Sequence, residues 1–143
     1  MSLDLGIRAD GCHALHRYNL PLRAAIVVGM YISITGLKLN GPLSAPRFWW
    51  HALRSMAQAK RAPGNISADA RVIDGVHHTL TVWNDRTAML TYLRSGAHLQ
   101  AMRAFHGIAT GAVTGYEADA APDWTAIPAI WRERGRWVTP GKA

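Results

Sequence analysis

Cysteine and acidic residues are scarce in this sequence. One cysteine, Cys12, occurs in 143 residues, which excludes an internal disulfide and a metal site built from several cysteines. Only 9 Asp and Glu stand against 16 Lys and Arg, so the formal net charge is +7 at pH 7. The basic residues are scattered along the chain, whereas a nucleic-acid-binding protein usually gathers them on one arm or face. We therefore interpret the charge as a solvated basic surface and expect no nucleic-acid partner.

Long hydrophobic runs are also missing. The longest apolar stretch, residues 24–35, is broken by Gly29 and Ser33. It is far shorter than the roughly 20 residues that a membrane-spanning helix requires. The segment before it contains Asp4 and Asp10, which is atypical of a signal peptide. These absences predict a cytoplasmic protein with no membrane span.

Several catalytic motifs are absent as well. The sequence has no HExxH zinc motif, no GxxxxGK[ST] phosphate loop, no GxGxxG dinucleotide motif and no GxSxG nucleophile elbow. His77 and His78 are neighbours on a predicted strand, so they point to opposite faces and cannot share one metal ion. Hydrolytic, phosphoryl-transfer and metal-dependent chemistry are therefore disfavoured, and we expect no metal site.

What is present is a regular alternation of strand and helix patterns. Strands are predicted over residues 31–37, 65–74, 76–83 and 111–118, and helices over 47–61, 86–94, 97–106 and 127–134. Asp74 and Gly75 form a strong hairpin-turn signal. The order of the first six elements is typical of an α+β fold, the ferredoxin-like βαββαβ sandwich, in which helices cover one face of a four-stranded antiparallel sheet.

The ferredoxin-like domain is expected to span residues 30–120. Residues 1–29 form an N-terminal arm or precede the true start of the protein, and residues 121–143 form a C-terminal tail with a short helix. Strand alternation predicts that the helices cover the more apolar sheet face. The other face is expected to be open and to carry Tyr31, Ser33, Thr35, Thr79, Thr81, Trp83, Thr114 and Tyr116. Such an aromatic face indicates a second subunit or a ligand.

His98 is the best candidate for chemistry. A helix over 97–106 places His98, Met102 and Phe105 on one apolar stripe. A histidine there can act as a general acid or base, or as an axial haem ligand. The alternative is a structural histidine that is hydrogen-bonded in the core or packed on Trp83.

Aromatic side chains suggest a pocket for an apolar or aromatic ligand. Tyr31, His77, Trp83 and Tyr116 are predicted to line it from the open sheet face. Trp50 is predicted to line the rim of this pocket from the first helix. Its side chain points about 100° away from that of the preceding residue, which can pack on the sheet. The alternative for Trp50 is that it covers the C-terminal tail.

Four short stretches, residues 78–85, 88–89, 92–98 and 101–102, resemble the dimeric α/β-barrel superfamily. Members include antibiotic-biosynthesis monooxygenases and haem-degrading enzymes. The order and spacing of the residues in these stretches is most similar to that of spheroidene-monooxygenase-like proteins. The resemblance implies a homodimeric barrel, with pockets between sheet and helices or between subunits. We expect a monooxygenase-like protein that binds an apolar or aromatic small molecule, with no certain cofactor. The alternative is a non-enzymatic dimer that binds a small molecule or haem.

Overall fold

The alternating apolar residues after Gly29 form the central strand of a five-stranded antiparallel sheet. The computed structural model describes residues 29–138, so the arm proposed for residues 1–29 lies outside the described residues, apart from Gly29. The elements are β1 (Met30–Leu39), α1 (Ala45–Arg61), β2 (Asn65–Ile73), β3 (Val76–Trp83), α2 (Arg86–Leu93), α3 (Gly96–Ala104), β4 (Ala109–Ala118), α4 (Ile127–Arg134) and β5 (Arg136–Trp137).

The strand order β2-β3-β1-β4-β5 contains the four-stranded order of a ferredoxin-like sheet, with β5 added beside β4. The predicted α+β fold is therefore confirmed. Local chemistry explains several boundaries. Asp74 and Gly75 adopt positive φ angles of 51° and 75°, as the tight β2–β3 hairpin requires. Asp85 caps α2, because its side chain accepts a hydrogen bond of 2.7 Å from the Ala88 amide.

The prediction of which sheet face is open was wrong. Tyr31 and Trp83 pack with Ala59 of α1 and Met89 of α2. Residues of α3 line the same cavity as Tyr31, so this face lies beneath the first three helices. Ser33, Thr35, Thr79 and Thr81 lie on the same face because they alternate in step with Tyr31 and Trp83. The more polar face, referred to below as the α1–α3 face, is therefore covered by three helices of the chain itself.

The opposite face is covered by α4, the helix predicted in the C-terminal tail. Ile32, Ile34 and Val82 are at most 2% exposed and pack with Ile127 and Trp131 of α4. The chain can cover both faces because α4 supplies the large apolar side chains that the more apolar face needs. This surface is the α4 face below.

Two further predictions change with the sheet faces. Tyr116 and Thr114 pair with Ile32 and Ile34, so both lie on the α4 face and not beside Tyr31 as predicted. His78 faces α4, where its ring meets that of Trp131 at 5.2 Å.

The buried stripe of α1 also differs from the prediction. A helical period through Trp49, Leu53, Met56 and Lys60 predicts one buried stripe, but Leu53 is 65% exposed. The buried residues are Phe48, Ser55 and Ala59, each one position N-terminal to a residue of the predicted stripe. The helix is therefore rotated by about one residue, or about 100°, relative to that prediction. None of the helices among residues 29–138 is long and apolar enough to span a membrane.

Candidate functional site

A cavity of about 470 Å³ lies between the α1–α3 face of the sheet and the helices. We refer to it as the helix–sheet cavity. Its walls are mostly apolar and include Phe48, Met56, Met89, Met102, Phe105 and Ile108. Ser33, Thr35, Thr79 and Thr81 supply a hydroxyl-bearing floor from β1 and β3. An apolar enclosure with a few convergent polar groups is typical of a small-molecule site.

His98 lines this cavity from the first turn of α3. Its Nδ1 lies 3.1 Å from the carbonyl oxygen of Leu93, and a carbonyl can only accept, so Nδ1 carries the ring proton. Nε2 is thereby left with its lone pair free, and it has no hydrogen-bond partner among residues 29–138. The geometry therefore gives His98 a free basic nitrogen at the cavity.

Electrostatics keep His98 neutral. Burial lowers the pKa of His98 below its ordinary value, because desolvation penalises the charged imidazolium, while the hydrogen bond to Leu93 acts in the opposite direction. The backbone amide of His98 donates a hydrogen bond of 2.8 Å to Oε1 of Gln58. The Nε2 of Gln58 donates to the Ser95 carbonyl at 3.0 Å. One side chain of α1 thus fixes the start of the helix that carries His98.

Tyr92 connects His98 to the core of the protein. Its ring lies 4.6 Å from that of His98 and stacks on Trp83 at 5.1 Å. Its hydroxyl donates to the Ser55 carbonyl at 3.1 Å, and burial raises the pKa of Tyr92. Trp83 is fully buried, and its indole nitrogen donates to Thr81 Oγ1 at 2.9 Å. These bonds leave His98 little freedom to move.

The far end of the cavity is aromatic. His77 lies there, with its ring 4.7 Å from Phe48 and 5.3 Å from Trp49. Burial lowers the pKa of His77, so this imidazole is also held neutral near pH 7. Thr35 and Thr79 share a hydroxyl–hydroxyl hydrogen bond of 2.6 Å on the sheet floor. A flat apolar ligand would meet rings at this end and hydroxyls beneath.

The structure brings together five of the residues singled out from the sequence. Tyr31, His77, His98, Met102 and Phe105 all line the helix–sheet cavity. Trp83 lies behind the wall and supports it through Tyr92.

Two of the predicted ligand-binding residues lie elsewhere. Trp50 is 61% exposed on the outer side of α1, where Arg54 lies 5.3 Å over its ring. Tyr116 is on the α4 face, with Arg134 at 5.3 Å over its ring, so it cannot reach the cavity. Trp50 is outside because the buried stripe of α1 is rotated by one residue, and Tyr116 because of its register with Ile32.

Sequence reasoning missed Ser55, Tyr92 and Trp49, all of which line the cavity. Ser55 follows Phe48 by seven positions, so a two-turn helical period would have placed it on the buried side. The basic run from Arg132 to Arg136 offered a contact for a carboxylate of an apolar ligand, and Arg136 of this run lines the cavity because β5 pairs it with Val113.

A second depression, an open groove of about 940 Å³, lies on the outer side of α1 against α2 and α3. Small residues such as Ala57, Gly64 and Ala88 line much of it, and none of its described lining residues is a histidine. The helix–sheet cavity is smaller but more enclosed, and it is lined by histidines, so we regard it as the candidate site. Residues 29–138 contain no group of three or more His, Cys, Asp or Glu that could hold a metal ion.

No protein-family model matches the sequence, and no curated protein matches it. Solved structures share its fold. SnoaB, a cofactor-independent oxygenase from Streptomyces nogalater, is 19% identical with a TM-score of 0.52, covering 66% of this chain and 95% of its own. A protein from Deinococcus radiodurans, provisionally named an antibiotic biosynthesis monooxygenase, is 19% identical with a TM-score of 0.57, covering 65% and 96%. Its namesake from Caulobacter crescentus is 22% identical with a TM-score of 0.55, covering 66% and 92%.

At these identities the similarity establishes the fold. The chain has the ferredoxin-like α+β fold of the antibiotic-biosynthesis-monooxygenase-like structures, as the sequence stretches around Trp83 and His98 predicted.

Proposed function

We propose that this protein is a monooxygenase-like enzyme that binds an apolar or aromatic small molecule in the helix–sheet cavity, with His98 as its general base. The observation that carries the proposal is the free Nε2 of a partly buried imidazole, held neutral by desolvation, in a mostly apolar cavity. A general base works best when it is unprotonated at the operating pH, and desolvation produces that state in His98.

The chemistry follows from removal of a proton from an acidic O–H or C–H of the substrate. Nε2 of His98 accepts this proton, and the electron-rich anion that remains reduces molecular oxygen. In the overall reaction one oxygen atom enters the substrate as a carbonyl, replacing two hydrogens, and the other leaves as water. The substrate supplies all four electrons that reduce the two oxygen atoms, so no further reductant is needed. The name of SnoaB, a cofactor-independent oxygenase of the same fold, supports this reaction class.

Oxygen consumption tests the proposal. Purified protein is mixed with a panel of quinols and polyenes in an oxygen electrode, and the rate is compared with that of the substrates alone. His98→Asn keeps a donor for the Leu93 carbonyl but removes the basic Nε2, so we expect at least about a 100-fold loss of the catalysed rate. His106→Asn is the matched control, because His106 is exposed and lies outside the cavity. Equal rates for His98→Asn and wild type would rule out this role.

The sequence left open a non-enzymatic binder of a small molecule or of haem. Nε2 of His98 would be the residue atom to hold the iron of haem, which would supply oxygen chemistry when bound. Its Nε2 faces no competing donor among the described residues, so the residue fits that role. Titration with hemin separates the alternatives, since a Soret shift that is lost in His98→Asn favours haem. Ligand-induced stabilisation without oxygen consumption favours a simple binder.

We further propose that the protein is cytoplasmic and forms a homodimer, as the resemblance implies. The surface for the second copy differs from the one predicted, because Tyr31 and its neighbours are covered by α1–α3. A second copy that approached the other side of the sheet would meet α4 and the 64%-exposed Trp137. Light scattering is expected to give about twice the chain mass of 15.7 kDa. A mass of one chain at all concentrations would contradict the dimer.

A further inference from the structure

The outer side of α1 carries an apolar stripe that no other part of residues 29–138 covers. Trp50 is 61% exposed and Leu53 is 65% exposed. Pro46 and Ala57 are exposed in line with them, at spacings of three or four residues. A helix of a globular protein normally turns its apolar stripe towards the core, but α1 contacts the core through its other side, which carries Phe48. We call these four exposed residues the α1 stripe, and an exposed apolar patch of this kind is typical of an interaction surface.

Three arginines border the α1 stripe along one side. Arg47, Arg54 and Arg61 are seven residues apart, so they form a row along α1, and all three are exposed. Arg47 and Arg54 lie one turn before and one turn after Trp50, and the guanidinium of Arg54 lies 5.3 Å over the Trp50 ring. None of the three arginines has a carboxylate within 4.0 Å among residues 29–138, and α1 contains no Asp or Glu. The row therefore presents unneutralised positive charge beside the apolar stripe.

This combination of charge and apolar surface favours one kind of partner. A symmetric dimer through the α1 stripe would bring the same arginines of two copies together, and like charges oppose association. A nucleic acid would gain little from the centre of the stripe, because Leu53 and Ala57 offer no donor to a phosphate. The surface of an anionic bilayer suits both features, since apolar side chains can enter the boundary between headgroups and acyl chains while arginines stay at the headgroups.

The α1 stripe also adjoins the helix–sheet cavity. Leu53 belongs to the stripe and lines the cavity, and so does its neighbour Trp49, which is 44% exposed. The ring of Trp49 lies 5.3 Å from that of His77 inside the cavity. A bilayer in contact with the stripe would therefore lie next to the cavity. Apolar molecules concentrate in a bilayer, so this position would bring apolar ligands close to the candidate site.

We propose that the outer side of α1 binds the surface of a bilayer that contains anionic lipids. Trp50 and Leu53 enter the boundary between headgroups and acyl chains, and Arg47, Arg54 and Arg61 contact the acidic headgroups. The binding is peripheral and needs no membrane-spanning helix. It goes beyond the proposed function and does not depend on it, because Trp50 and the three arginines lie outside the lining of the helix–sheet cavity.

Flotation with lipid vesicles tests the proposal. The full chain is mixed with vesicles of phosphatidylcholine alone, or of phosphatidylcholine and phosphatidylglycerol in equal amounts, and the bound fraction is measured in a density gradient. We expect binding to the anionic vesicles to be at least about tenfold tighter and to weaken as salt is added. Trp50→Ala should weaken this binding by at least about tenfold. Trp137→Ala is the matched control, because Trp137 is 64% exposed and meets Trp131 on the α4 face, so this variant should bind as wild type.

A pair of double variants separates the position of the charge from its amount. Arg47→Gln/Arg54→Gln and Arg132→Gln/Arg134→Gln remove the same charge from exposed positions, the first on α1 and the second on α4. The α1 variant should bind anionic vesicles at least about tenfold less tightly than wild type, and the α4 variant within about twofold of it. Their urea midpoints should match that of wild type, because the substituted side chains are exposed.

Several results would overturn the proposal. Equal losses in the two double variants would mean that the protein adsorbs through its net charge alone, and no binding to the anionic vesicles would exclude the bilayer outright. A dimer that Trp50→Ala converts to a monomer in light scattering would assign the α1 stripe to a second copy of the chain. Binding of a DNA oligonucleotide that depends on Trp50, without vesicle binding, would assign it to a nucleic acid.

Discussion

At the scale of single residues, three imidazoles that are buried or partly buried tie the stability of the protein to pH. Burial lowers the pKa values of His77, His78 and His98 in the folded state below their ordinary value of 6.5. The unfolded chain therefore binds more protons than the folded chain once the pH falls below about 6.5. We expect the contribution of these groups to the free energy of unfolding to be constant above that pH and to decrease as the pH is lowered towards 5. Urea unfolding at a series of pH values measures the decrease.

His98→Asn isolates one of the three contributions. The variant removes the titrating group, so its unfolding free energy should depend less steeply on pH between 6.5 and 5 than that of wild type. His106→Asn should retain the wild-type slope. The same proteins allow a direct titration, because the ring signals of His98 in NMR spectra should titrate below pH 6.5. A titration midpoint above 6.5 would contradict the desolvated environment of His98.

Individual residues also mark the limit of what the sequence could predict about the site. His98, Met102 and Phe105 were predictable, because a helical period brings them to one side of α3 whatever that helix packs against. Ser55 was not singled out, because whether a buried hydroxyl has a hydrogen-bond partner depends on every neighbouring atom. Tyr116 was misplaced because the pairing of β4 with β1 decides its face, and that register is not encoded locally.

At the scale of elements, turn and helix-end residues in the sequence were sufficient to predict the element boundaries that they set. The bounds of β3 and α4 match the predicted ranges, since the Asp74–Gly75 turn begins β3 and Gly135 follows α4. The choice of sheet face was wrong because both faces of β1 and β3 carry residues that need covering. The packing of α4 on one face decides which helices cover each face. The residue pattern of a strand does not specify which helix packs against it.

Two glycines on opposite faces of the sheet test which helices cover which face. An added Cβ at Gly36 would collide with the Trp131 ring of α4, whereas one at Gly115 would meet the Tyr31 hydroxyl. We expect Gly36→Ala to cost about 2 kcal/mol, within the range for overpacking a core. It should also abolish the bond of 2.9 Å from the Trp131 indole to the Ala112 carbonyl. The readouts are the urea midpoint and the hydrogen-exchange protection of that indole N–H.

Gly115→Ala provides the matched control for this experiment. It adds the same methyl group to the same sheet, but it should leave the Trp131 indole protected and instead displace Tyr31 in the wall of the helix–sheet cavity. A Gly36→Ala protein with full indole protection would show that α4 does not pack on this face as described.

At the scale of the whole molecule, the chain covers both faces of its sheet, with the cavity on one side and α4 on the other. Deleting residues 121–143 would uncover Ile32, Ile34 and Val82, which are at most 2% exposed. Each fully buried side chain of this size contributes about 1.5–3 kcal/mol, so the truncated chain should be much less stable and should expose an apolar patch. We expect increased fluorescence of an anilinonaphthalene sulfonate dye and self-association in light scattering. A chain ending at Val138 keeps α4 and β5, and it should behave as wild type. A truncated protein with wild-type stability and dye binding would contradict the role of α4 as the cover of this face.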